Sequence, residues 1–132
     1  LDFSSDAEVE SYAILSTRED IQSLMTDFGF LGTALMVAII VPIYEEIIFR
    51  GIILSSVTNY LGFWKANFVQ ATIFSLVHFN LGLFFYYFFF GFFIGLVTRK
   101  SEGLRTGIIF HMINNFIATL AIYALMGSEL NL

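Results

Sequence analysis

Three short groups of residues in this chain have types and spacings that can do chemistry. They are Glu45-Glu46-x-x-x-Arg50, Phe74-x-x-x-His78 and His111-x-x-x-Asn115. A carboxylate with an imidazole beside it can take a proton from water. An imidazole N–H and a carboxamide N–H side by side can hold a developing oxyanion. Together these groups suffice to hydrolyse an amide with activated water and no covalent nucleophile. All three interrupt segments that are otherwise apolar enough to cross a membrane. A charge at the centre of a bilayer costs at least a few kcal/mol, so such residues pair, line a wet cavity or react.

Helical spacing sorts the groups further. Glu46 and Arg50 are four apart and share a helix face, so an ion pair is their expected relation. Glu45 is rotated by about 100° from Glu46 and is the freer carboxylate, a candidate general base. Phe74 stands one turn before His78 and should pack beside its ring. His111 and Asn115 share a face as two neighbouring donors. Plainer explanations exist for each group. Both glutamates can pair with Arg50 to hold helices together, and buried His and Asn commonly make interhelical hydrogen bonds. Cysteine is absent, which removes thiolate metal sites and cysteine nucleophiles. A three-ligand zinc site from His78, His111 and Glu45 is the minority alternative to a site without cofactor or metal.

Positioning these residues requires several membrane-spanning helices. Residues 1–27 are polar and acidic, and Thr17-Arg18-Glu19-Asp20 reads as the start of a short interfacial helix. A first span follows over about 28–57, with a kink expected at Pro42. Asn59 to Gly62 reads as a turn. From Ala66 to Thr98 there is no acid, Lys or Arg. That is too long for one span of roughly 20 residues. Dividing it at Asn80-Leu81-Gly82 gives a second span over 65–80 and an aromatic third span over 83–98. The fourth covers 104–126. At about 1.5 Å per residue, Glu45, His78, His111 and Asn115 then fall about 10–20 Å deep, in one slab near mid-membrane. The expected architecture is all-α: an integral membrane four-helix core over 28–126, a polar N-terminal segment over 1–27 and a polar tail over 127–132.

Composition agrees. The chain is 58% hydrophobic and 13% charged, with 17 phenylalanines, against about 25% charged in soluble domains. Mean hydropathy is +0.81. The net charge of −5 comes largely from the first 27 residues. Six basic residues in no long run leave no footprint for nucleic acid. Lys65, Arg99, Lys100 and Arg105 sit in the loops after spans one and three. The positive-inside rule then places those loops in the cytosol and both termini outside; the expected location is the cell membrane of a prokaryote. Opening on Leu1 without a basic leader, the chain reads as a fragment or a processed product.

The ordered set of motifs on successive spans resembles the CAAX-protease and bacteriocin-processing membrane proteins, also called the Abi family, over about residues 28–126. That resemblance implies an intramembrane, glutamate-dependent endopeptidase acting on a membrane-associated peptide or protein. It implies Glu45 as general base with His78 as its partner on the water, His111 and Asn115 as the oxyanion site, and Glu46 and Arg50 in support. Family proteins usually carry further spans before the first motif. The competing reading is a non-catalytic bacteriocin-immunity or peptide-binding membrane protein, in which the same polar groups only hold helices together. A transporter or proton relay is a third. The lipid bilayer is the expected surrounding, and an oligomer is compatible with the chain.

Overall fold

A computed structural model describes residues 3–130, and only the backbone of residues 3–7, 9–13, 129 and 130. The described residues are helical almost throughout. The elements are α1 (Phe3–Leu35), α2 (Val41–Glu46), α3 (Ser55–Leu61), α4 (Phe63–Val77), α5 (Phe84–Lys100) and α6 (Leu104–Leu130). Two π-helical stretches, Met36–Ile40 and Ile47–Leu54, join α1, α2 and α3 into one run, and a 3-10 turn over Leu81–Leu83 leads into α5.

The sharp break in the first run is at Gly29, with φ 70° and ψ 173°, not at Pro42. Only glycine adopts that backbone without strain. Thr17 and Glu45 line one cavity, although 28 residues of straight helix would set them about 42 Å apart. The chain therefore doubles back at Gly29, and the residues before it form an arm whose Thr17 meets Asn80 beside the Leu81–Leu83 turn. Thr17 does not begin a helix, because α1 already runs from Phe3 and nothing from Phe3 to Thr17 breaks it. A second glycine with positive φ, Gly62, reverses the chain between α3 and α4. Around Pro42 the backbone stays right-handed, with Ile40 at φ −67° and ψ −51°. The missing N–H is absorbed by widening the helix to a π register rather than by a kink.

Close packing of α4 on α5 forms the heart of the bundle. Gly91 and Gly95 present a small-x-x-x-small face on α5, which lets the partner helix approach. A Cβ on Gly91 would lie 3.0 Å from the Phe74 ring, and one on Gly95 would lie 1.9 Å from Asn67 Oδ1. Ala66, Ala71, Phe74 and Ile94 are fully buried there, together with the polar Asn67 and Gln70. Large apolar side chains such as Leu31, Phe68, Phe85 and Ile117 face outward instead, as lipid-facing residues do.

Three helical stretches are long and apolar enough to cross a membrane: Ile14–Leu61, Leu81–Lys100 and Leu104–Ser128. The fourth core helix, α4, has only 15 residues, about 22 Å of helix. The other boundaries extend beyond the sequence expectation. The first run continues to Leu61, and α6 continues through 127–130, where a polar tail is expected. Residues 131 and 132 lie outside the described residues.

Candidate active site

A buried ion pair forms the floor of the site. Glu46 is fully buried and Arg50 is 2% exposed. Arg50 Nη1 donates to Glu46 Oε1 at 2.8 Å, the relation their spacing predicts. Nη2 donates to the Gly91 carbonyl at 3.0 Å, and the guanidinium lies over the Phe74 ring at 4.7 Å. Gln70 Nε2 donates to the same carbonyl at 2.9 Å and to Asn67 Oδ1 at 2.8 Å. Asn67 Nδ2 donates to the Phe92 carbonyl at 3.0 Å. Removing one partner from a buried pair leaves an uncompensated charge, so this network holds α4 and α5 to the glutamate-bearing run. Asn67 and Gln70 are visible in the sequence as polar interruptions three residues apart, on one face of α4. Their partners, the Phe92 and Gly91 carbonyls on the glycine-bearing face of α5, are not.

Glu45 faces away from this pair, and both histidines come to it. Its Oε1 is 3.9 Å from His78 Nε2, and its Oε2 is 3.3 Å from His111 Nε2. The first gap is too long for a direct hydrogen bond and is within reach of one shared water. His78 ends α4, and its Nδ1 lies 2.6 Å from the Phe74 carbonyl. A carbonyl only accepts, so Nδ1 carries a proton, and the bond turns Nε2 toward Glu45. Phe74 packs against both histidines, with ring centroids 4.6 Å from His78 and 6.0 Å from His111. His111 Nδ1 donates to Glu46 Oε1 at 2.7 Å. His111 thus bridges the two carboxylates, while Arg50 engages only Glu46.

Asn115 is oriented from both ends. In the π register before Pro42, the Val41 N–H reaches back to the Met36 carbonyl. The next donor in that register would be residue 42, and proline has none. The orphaned Val37 carbonyl accepts instead from Asn115 Nδ2 at 2.9 Å. Asn114 Nδ2 approaches Asn115 Oδ1 at 3.4 Å, and Tyr86 donates to Asn114 Oδ1 at 3.2 Å. With its oxygen and one N–H engaged, Asn115 keeps a second N–H. Proline placement and asparagine spacing are both legible in the sequence, but their connection appears only in the fold.

Glu45, His78, His111 and Asn115 all line one cavity of about 320 Å³. Its remaining wall is largely apolar, including Val37, Val41 and Phe90, and Thr17 and Ile21 of the arm. The aromatic α5 divides by face. Tyr86, Tyr87 and Phe90 border the cavity, and Phe85, Phe89 and Phe93 are exposed. Among the described residues, no three His, Asp or Glu side chains are arranged to hold a metal ion.

The sequence matches one family, described as type II CAAX prenyl endopeptidase Rce1-like, over residues 27–117. The matched stretch begins two residues before the Gly29 reversal and ends two beyond Asn115. No curated protein and no solved structure matches.

Proposed function

This chain belongs to the Rce1-like family of type II CAAX prenyl endopeptidases, and we propose that it hydrolyses a peptide bond in a membrane-associated protein tail with Glu45 as the general base. A water held between Glu45 and His78 Nε2 attacks the scissile carbonyl and passes its proton to Glu45. The second N–H of Asn115 receives the negative charge on the carbonyl oxygen, with the His111 ring beside it at the oxyanion site. Collapse of the tetrahedral intermediate returns the proton from Glu45 to the departing amine. The products are the released amine and a carboxylic acid, which passes its proton on to that amine, and no covalent enzyme intermediate forms.

One observation carries this reading: Arg50 consumes Glu46, while Glu45 meets both histidines at the cavity wall. The pairing leaves one carboxylate with a proton-accepting task and gives the other a structural one. The mechanism uses no metal, and the agreement of spacing, tautomer and cavity supports it.

The test is cleavage of a farnesylated peptide ending in a CAAX sequence by the purified chain in liposomes. Glu45→Gln keeps shape and cannot accept the proton. The rate should fall about 10²–10⁴-fold with thermal unfolding unchanged. Chelators should leave wild-type activity intact. Loss of activity on chelation, restored by zinc with stoichiometric metal bound, would reassign His78 and His111 as ligands. Peptide binding without any cleavage would favour the non-catalytic reading.

A further inference from the structure

Tyr87 belongs to none of the three motifs, yet it makes the closest ring contact to His78. The two rings stack with centroids 4.0 Å apart and planes 20° from parallel. Phe74, the motif neighbour, meets the same imidazole in a tilted arrangement at 4.6 Å. His78 sits past the last helical residue of α4, so helical backbone on one side only holds it. Its ring is fixed by the Phe74 carbonyl at Nδ1 and by the two aromatic faces. The Tyr87 hydroxyl in turn shares a hydrogen bond with Thr17, and Thr17 Oγ1 accepts from Asn80 Nδ2 at 3.2 Å. Thr17, His78 and Tyr87 all border the cavity.

We infer that Tyr87 is a positioning residue for His78: its ring clamps the imidazole in the orientation that aims Nε2 at Glu45, and its hydroxyl ties that clamp to the arm through Thr17. The inference rests on the general-base reading given above for Glu45. Aromatic rings in offset stacking attract each other beyond the area they bury. That suffices to select one rotamer of a ring at a helix end. The bond to Thr17 makes docking of the arm and alignment of His78 a single event, because Gly29 is the point about which the arm departs from the bundle.

The experiment compares Tyr87→Leu, Tyr87→Phe, Thr17→Val and the Tyr87→Phe/Thr17→Val double variant in liposomes with the same farnesylated peptide. Wild type and Glu45→Gln serve as references. A second readout is the proton and nitrogen spectrum of the histidine rings, which needs no activity and has only two histidines to assign. Tyr87→Leu should lower kcat about 10²-fold, the cost of a misplaced group, with KM little changed. It should also remove the ring-current shift of the His78 protons. Tyr87→Phe should keep that shift and most of kcat. The double variant should be no worse than Thr17→Val alone, since both remove one interaction. If Tyr87→Leu does not fold, Tyr87→Met, which also removes the stacked ring, takes its place with the same two readouts and the same expected losses.

An unchanged His78 spectrum with unchanged kcat in Tyr87→Leu would overturn the inference. A rise in KM alone would also overturn it and make Tyr87 a wall for the substrate. Equal activity of wild type and Glu45→Gln would instead overturn the general-base reading, and the spectra would still judge Tyr87.

Discussion

In the proposed mechanism the two adjacent glutamates separate by task, and that separation predicts opposite consequences for the same substitution. Glu46→Gln leaves Arg50 buried with no countercharge, a loss of about 3–5 kcal/mol. It should appear as a lowered unfolding temperature in detergent, with little folded protein to assay. Glu45→Gln should fold normally and fail only in turnover. Asn115 combines both kinds of effect. Asn115→Ala removes the donor to the Val37 carbonyl, a half-buried acceptor at the cavity wall, at about 0.5–1.5 kcal/mol. It also removes an oxyanion donor, at about 10²–10³-fold in rate. Unfolding and initial-rate measurements on one preparation should therefore both move. The motif residues are legible in the sequence because an ionisable group in an apolar run has no neutral explanation. Gln70, Asn67 and Tyr87 are not, because a polar or aromatic residue in a membrane helix acquires its meaning from the atom across the interface.

Among the elements, the α4–α5 pair has the least tolerance. Gly95→Ala would bring a Cβ to 1.9 Å from Asn67 Oδ1, and the obstacle is a side chain already held by two hydrogen bonds. Overpacking of this kind costs about 1–3 kcal/mol. The loss should be largely rescued in Gly95→Ala/Asn67→Ala, which thermal unfolding of the single and double variants can measure. The four helices of the core are legible from hydropathy and from the break at Asn80. Their detailed course is not. Gly29 stands among Phe28, Phe30 and Gly32 with no local mark to distinguish it, and its role emerges from where Thr17 must lie. Pro42 invites the expectation of a kink. The outcome depends on whether a partner is available for the carbonyl that proline orphans, and Asn115, 73 positions further on in the sequence, supplies it.

For the molecule as a whole, side-of-membrane placement rests on Lys65, Arg99, Lys100 and Arg105. Because the chain has no cysteine of its own, single cysteines report cleanly. One at position 100 should react with impermeant reagent only from the cytosolic side, and one at position 129 only from outside. The reversed pattern would reverse the orientation. The short α4 has a further consequence. With α4, of 15 residues, at about 22 Å, this helix falls short of a hydrocarbon layer of about 30 Å. The long first run and α6 do not. Hydrophobic mismatch on one flank only should draw the lipid surface inward beside His78, where α4 ends. That local thinning shortens the path by which water enters the bundle. Acyl-chain length thereby becomes a control on hydrolysis: in a series of phosphatidylcholine liposomes, turnover should be higher in the thinner bilayers and fall as the chains lengthen. A host membrane could tune the rate through its lipids alone.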